Sequence, residues 1–250
     1  RGLELVARHQ PDTLAAIGRF LRSVAFNPMS EMGDLNFVSD SMLRGAFALL
    51  EIDNPWVTAS ICIHEFHHNR FFCIEELDGV LEADALGTND DAVYYSPWRE
   101  EPRPLRGILH GLYVYVPEGR FWLSVARDPE TREDGRRLAR DRVVRSRLDI
   151  DIALEQLERF ARFTPRGKEL FAALAADARA WVAESRAIFP GDVPGCYIEA
   201  DGRIGEKRSE VDGRVLSSWA SVAEHLDRFA RRGRLAWDAP PDVATLDAPR

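Results

Sequence analysis

Apolar residues recur at helical spacing along much of the chain. Between Asp12 and Ala25 they predict a first helix, with Pro11 and Asp12 as its start. The same spacing predicts four further helices, over 105–115, 148–163, 168–188 and 217–232. Thr164, Pro165 and Gly167 interrupt the pattern, so we expect helices 148–163 and 168–188 to form a helical hairpin.

The helix with the clearest start signal begins at Asn54 and Pro55. Asparagine is a favourable N-cap, and proline fits the first helical turn. The helix is predicted to run to about Leu77, with Gly79 as its stop. The short apolar run over 45–53 is consistent with a buried strand, although periodicity alone does not separate it from a helix.

The C-terminal region has a different character. Asp201-Gly202 suits a two-residue turn with positive φ, so residues 196–207 predict a small β-hairpin. We therefore expect a helix-rich catalytic domain over 1–190, a hairpin with a C-terminal helix packed on it over 191–237, and a mobile tail over 238–250. The predicted fold class is α+β and helix-rich, with few short strands. Alternating strands are too few for a cupin or jelly-roll barrel.

Composition and charge exclude several classes of function. The 250 residues carry a formal net charge of -8, which gives no global basic field for nucleic acid or an anionic membrane. The arginine-rich stretch over 127–147 is expected to be a solvated helix with intrahelical ion pairs, and the alternative is a local basic patch that contacts a partner. No apolar run approaches the roughly 20 residues that span a bilayer. We expect no nucleic-acid or membrane partner, and the oligomeric state is not predicted.

The three cysteines are Cys62, Cys73 and Cys196. They show no CxxC spacing, which disfavours both a disulfide framework and a cysteine-rich zinc module. A reducing, cytoplasmic environment fits this cysteine usage best.

Candidate chemistry is concentrated at residues 64–68, with the sequence His-Glu-Phe-His-His. His64 and His68 are four residues apart, so on a helix they project from one face and can bind one metal ion, with Glu65 near that face. Apolar neighbours indicate that this face points inward, where buried histidines need a partner. The alternative is a hydrogen-bonded pair of core histidines. His67 lies about 100° away around the helix, and we expect it to be exposed or to pack.

A catalytic site needs a third protein ligand. The candidates are His9, His67, His110, His225, Glu75, Glu76 and Glu82. A metzincin-type third histidine is absent because position 74 is isoleucine, and Glu82 is too close to the motif for the gluzincin arrangement. We favour His110, which follows a loop rich in proline and arginine.

The motif over 63–68 is followed by Tyr-Ser-Pro-Trp-Arg-Glu-Glu-Pro-Arg-Pro-Leu-Arg-Gly-Ile-Leu-His-Gly-Leu-Tyr at 95–113. Over about residues 45–125 this combination resembles the 2-oxoglutarate-dependent HExxH-type peptide beta-hydroxylases, which modify ribosomally made peptides. The resemblance implies an Fe(II) held by the motif histidines, 2-oxoglutarate and O2 as cosubstrates, and hydroxylation of a β-carbon in a precursor peptide. With His64, His68 and His110 as ligands, octahedral iron keeps three positions for the keto acid and O2.

An arginine fork suits the distal carboxylate of 2-oxoglutarate. Arg103, between Pro102 and Pro104, is the first choice and Arg99 the second, while a structural salt bridge is the alternative for either; Arg106 is weaker. The competing function is an HExxH zinc metallopeptidase, in which Glu65 would be the catalytic base. In an oxygenase Glu65 would instead orient a ligand, bind the metal or touch substrate. A non-enzymatic, degenerate peptide-binding relative is the third possibility.

Overall fold

The computed structural model describes residues 1–27, 37–39, 42–50, 52–83, 94, 96–98, 103–190, 196–198 and 204–206. Within these residues the fold is rich in helix. The elements are α1 (Gly2–His9), α2 (Pro11–Phe20), β1 (Ser23–Asn27), β2 (Phe37–Val38), β3 (Ala46–Leu50), α3 (Pro55–Leu77), α4 (Leu105–Arg127), α5 (Glu133–Phe160), α6 (Pro165–Ile188), β4 (Cys196–Ile198) and β5 (Ile204–Glu206).

The described strands form two small sheets and no barrel, as predicted. In the first sheet β3 is central, parallel to β1 and antiparallel to β2. In the second, β4 pairs antiparallel with β5, so the two strands of the predicted hairpin are present. The predicted helix over 217–232 and the tail over 238–250 lie outside the described residues. The division of the chain into domains therefore stays a prediction.

The motif helix α3 begins and ends where the sequence predicts. The side chain of Asn54 accepts hydrogen bonds from the backbone N–H groups of Trp56 (3.1 Å) and Val57 (3.2 Å), so it satisfies two donors that a helix start leaves unpaired. The C-cap is Asp78, one residue before the predicted glycine stop. The strand prediction over 45–53 is confirmed by β3.

Three helix boundaries were predicted wrongly. The first predicted helix ends at Phe20, because Leu21 is extended and Val24 pairs with Phe47 in the sheet. In the opposite direction, α5 starts at Glu133, well before the predicted 148, and α4 continues to Arg127, beyond the predicted end at 115. The helix α1 was not predicted at all.

The extension of α4 passes through Pro117, which removes one helical hydrogen bond at a cost of about 3 kcal/mol. Burial of Phe121 and Trp122 on the following turn offsets this cost, since each large aromatic side chain contributes about 2 to 3 kcal/mol when fully buried. Residue 118 therefore belongs to a helix that packs against α3, and not to a loop.

The core lies between the long helices. α4 packs against α3 on one side and α5 and α6 on the other. Gly119 permits the close approach of α6, because a Cβ there would lie 2.6 Å from Cζ2 of the fully buried Trp181. The expectation of ion pairs along the arginine-rich stretch is confirmed by Arg136–Glu133 (2.7 Å) and Arg145–Asp149 (3.2 Å). The helix is solvated on one face only, because Leu138, Val143 and Arg147 are buried in the core.

The end of α3 is fastened to the corner between α5 and α6. The hydroxyl of Thr164 donates to the carbonyl of Gly79 (2.7 Å), and the backbone N–H of Thr164 donates to the carbonyl of Val80 (3.1 Å). Gly167 is required here, because a Cβ would collide with the Val80 carbonyl. We call this contact the corner clasp.

In the described part of the chain, none of the helices combines the length and the apolar character needed to cross a membrane.

Candidate metal centre

The helices α3 and α4 run antiparallel and share a row of polar side chains. His64, His68 and Glu75 lie on one stripe of α3, because 4 and 11 residues correspond to about one and three helical turns. His110 and Glu118 face them from α4. We call these five residues the α3–α4 seam. All three histidines that the sequence predicted as ligands are therefore brought together.

The spacing of the imidazole rings can be compared with that around a shared ion. A metal–nitrogen bond of about 2.1 Å places two neighbouring rings with their centroids about 4.6 to 5.3 Å apart. The centroids of His64 and His68 are 4.8 Å apart, within this range. Those of His68 and His110 are 5.8 Å apart, slightly beyond it. The motif histidines fit a common ion better than His110 does.

Glu118 is the residue of the seam that the sequence analysis missed. Its Oε2 lies 2.9 Å from Nδ1 of His64, and its Oε1 accepts a hydrogen bond from Nε1 of the buried Trp122 (3.2 Å). A carboxylate on one nitrogen of a ligating histidine is the usual means of fixing that ring. Glu118 could have been found only if α4 had been predicted to continue through Pro117.

The other end of the seam is a second histidine–carboxylate pair. Nε2 of His110 lies 2.7 Å from Oε2 of Glu75, and Oε1 of Glu75 accepts from Arg106 at 3.2 Å. Phe71 and Phe72 pack against the His110 ring, with centroids at 4.6 and 5.0 Å. Glu75 was a candidate ligand, and Arg106 was considered the weakest cosubstrate arginine; here both are engaged with each other.

The donor atoms of the seam do not converge as they stand. Within the described ranges, no three histidine, cysteine, aspartate or glutamate side chains are placed to hold one metal ion. The ligand set His64, His68 and His110 therefore stays a prediction. The types of donor suit a transition metal, but binding requires at least one side chain of the seam to rotate.

Glu65 lies on a different face of α3 from the seam. Its carboxylate accepts a short hydrogen bond from the hydroxyl of Ser39, next to β2, and it is only 2% exposed. Asn69, one turn later, donates to Ser39 Oγ (2.9 Å) and to the carbonyl of Ala46 (3.1 Å), and accepts from the N–H of Gly45 (3.0 Å). Glu65 and Asn69 thus join the motif helix to the sheet.

His67 packs in the interior and is not exposed. It contacts Phe66 and Tyr113, with ring centroids at 5.1 and 5.8 Å. Burial is the main reason that the pKa of His67 falls to about 3, with smaller contributions from Arg70 and His64. The imidazole is therefore neutral at physiological pH. The packing role expected for His67 is confirmed, whereas the exposed role is not.

An aromatic wall flanks the seam at the His64 end. Trp98 stacks on Tyr115 with ring centroids 4.8 Å apart, and Tyr115 lies 5.0 Å from the ring of His64. Gly111 makes this stack possible, because a Cβ there would overlap the indole of Trp98. The wall thus lines the His64 end of the seam with aromatic rings.

Two further predicted residues, Arg103 and His9, make contacts outside the five residues of the seam. Arg103 forms a backbone bridge with Tyr94 (2.8 and 3.0 Å), and its side chain packs over Gly107. Arg99 lies outside the described residues, as does His225, so the cosubstrate anchor stays a prediction. His9 contacts Ser124 (3.0 Å) in a separate cavity of about 440 Å³ that is lined by Arg8, Arg120 and Arg127.

Comparisons with known proteins add no assignment. No protein-family model matches the chain, and no curated protein is significantly similar to it. The chemistry of the seam must be inferred from its residues.

Proposed function

We propose that the chain is a non-haem Fe(II)- and 2-oxoglutarate-dependent oxygenase that hydroxylates the β-carbon of a residue in a ribosomally synthesised peptide. The observation that carries the proposal is the position of the motif histidines. His64 and His68 face α4 at the separation of two ligands on one ion, while Glu65 is hydrogen-bonded on another face of the helix. The motif therefore offers metal ligands, while its own glutamate is bonded to Ser39 beside β2.

Each part of the site has a role in this proposal. His64 and His68 hold the ion, and the seam offers His110 and Glu118 as candidates for the third protein ligand. When bound, iron with 2-oxoglutarate and O2 supplies the capacity to remove a hydrogen from an unactivated carbon and return a hydroxyl group. Trp98 and Tyr115 keep bulk water from the His64 end. Arg103, with Arg99 second, remains the predicted partner of the distal carboxylate of 2-oxoglutarate.

A zinc metallopeptidase is the second candidate, and one observation favours it. Glu118 comes from the following helix and lies beside His64, so a set of two histidines and one glutamate is within reach, as in some zinc peptidases. The peptidase mechanism also needs Glu65 as the base that activates water. The bond from Ser39 holds this carboxylate in the wrong direction, so we rank this function second.

Anaerobic addition of Fe(II) and then 2-oxoglutarate to the metal-free protein tests the proposal. We expect a visible charge-transfer band at about 500 nm that requires both additions, because the keto acid must chelate the iron to produce it. A protein that takes up only zinc and cleaves peptide bonds would contradict the oxygenase assignment.

The matched control is Glu65→Gln. In an oxygenase this variant keeps the absorption band, because Glu65 lies away from the ion. In a peptidase it removes the base and abolishes cleavage.

A further inference from the structure

The two ends of the seam differ in charge. Glu75 is paired with the guanidinium of Arg106, so the carboxylate beside His110 already has a cation. Glu118 has no such partner. Within the described residues, its carboxylate contacts only the imidazole of His64 and the indole N–H of Trp122, and its side chain is 13% exposed. A buried carboxylate is stable when it is paired with a cation or coordinates a metal.

The distance between the two groups also suits an ion. Two neighbouring ligand atoms, each about 2.1 Å from a metal, lie about 3.0 Å apart when they subtend a right angle. Nδ1 of His64 and Oε2 of Glu118 are 2.9 Å apart. A metal ion can thus replace the proton between these two atoms once a side chain rotates so that both atoms point at the ion.

His110 is less suited to ligation. Its Nε2 is bound to Glu75, whose carboxylate already has the guanidinium of Arg106 beside it. Its ring is also slightly farther from His68 than two adjacent ligands on one ion, as the 5.8 Å centroid separation shows. A metal at His110 would bring a positive charge close to Arg106, which is unfavourable.

We propose that the third protein ligand is Glu118, so that His64, His68 and Glu118 form a site of two histidines and one carboxylate. This set on one side of an ion, with the other positions open, is typical of non-haem Fe(II) oxygenases. His110 then borders the site without binding the metal. The inference deepens the proposed function but needs only its metal site, not its reaction.

Metal affinity of three variants tests the assignment. We would measure Co(II) binding to the metal-free protein by competition with a coloured chelator, for wild type, Glu118→Gln, His110→Gln and Glu75→Gln. We expect Glu118→Gln to weaken binding more than 100-fold, because loss of a carboxylate that only orients a histidine costs about 10- to 100-fold. His110→Gln and Glu75→Gln should stay within about 10-fold of wild type.

Two results would overturn the proposal. If Glu118→Gln weakens binding by less than 100-fold, Glu118 only orients His64. If His110→Gln abolishes binding, His110 is the ligand.

Thermal unfolding of the metal-free proteins shows whether each variant is folded. We expect Glu118→Gln to melt at the same temperature as wild type or higher, because it removes a partly buried charge that has no guanidinium beside it. Glu75→Gln should melt lower, because it removes the ion pair of Glu75 with Arg106 and weakens its bond to His110. A large decrease for Glu118→Gln would contradict the charge argument on which the assignment depends.

The ligand assignment and the proposed function can fail separately, and the same experiments distinguish the two cases. Co(II) binding that depends on Glu118, with no 2-oxoglutarate band after iron is added, would support the ligand set and reject the oxygenase.

Discussion

The seam face and the sheet face of α3 are adjacent but serve different purposes. The seam face carries His64 and Glu75, which bond to Glu118 and His110 of α4. It also carries His68, whose ring stacks on that of His110. The sheet face carries Glu65 and Asn69, which are fully engaged with Ser39 and the strand β3. One five-residue motif therefore supplies both donors for an ion and a fixed attachment to the scaffold. HExxH spacing alone therefore does not determine the direction in which its glutamate points.

The largest expected effect is on the seam face. His68→Gln should reduce Co(II) affinity more than 1,000-fold, because it removes one of two ligands that share a helix face. The metal-free protein should keep its helical circular dichroism. His9→Gln is the matched control, since His9 lies outside the seam and its replacement should leave affinity unchanged. Equal losses in both variants would mean that binding is not at the seam.

The next effect is on the sheet face and concerns stability. Asn69→Ala should lower the free energy of unfolding by about 2 to 4 kcal/mol, because it leaves the N–H of Gly45 and the carbonyl of Ala46 without their partner in a fully buried site. Urea denaturation measures this. Arg70→Ala, an exposed neighbour, should change stability by less than about 0.5 kcal/mol. If Asn69→Ala lost metal affinity without losing stability, Asn69 would serve the metal site and not the attachment of α3 to the sheet.

The reactivity of the two cysteine thiols on α3, Cys62 and Cys73, measures how readily the helix around the motif opens. Burial, and secondarily the charge of Glu65, raises the pKa of Cys62 to about 11, so little thiolate is present at pH 8. Cys73 is partly exposed. We expect iodoacetamide to alkylate Cys62 about 100-fold more slowly than Cys73 at pH 8, as followed by mass spectrometry of peptides. Similar rates would show that this part of the helix opens readily.

The smallest expected effect belongs to the glutamate of the motif. Glu65→Gln should change Co(II) affinity by less than about 3-fold, and the free energy of unfolding by less than about 1 kcal/mol, because the amide can still accept from Ser39. In Glu65→Gln, Cys62 should react with iodoacetamide faster than in wild type, because the negative charge of Glu65 no longer raises the pKa of the thiol. A 100-fold decrease in metal affinity would place Glu65 on the seam.

The sequence predicted the scaffold of the candidate site better than its chemistry. Capping by Asn54 and the periodicity after it located α3, because those signals are local. The reach of α4 was missed, since Pro117 is unfavourable in a helix and only tertiary packing of Phe121 and Trp122 compensates for it. Glu118 was missed for the same reason, because it lies beyond the predicted end of α4 at residue 115. The bond from Ser39 to Glu65 joins residues 26 apart, so no local pattern could reveal it.

The corner clasp has a consequence for the order in which the protein acquires its site. Its hydrogen bonds connect residues 84 and 85 apart in the chain, far more distant in sequence than the contacts within either helix. Closing so long a loop is slow compared with helix formation. During synthesis, residues up to Gly167 must have left the ribosome before the corner clasp at the end of α3 can form. Metal uptake at full affinity is thus expected after synthesis of the α5–α6 corner, not while the motif itself emerges.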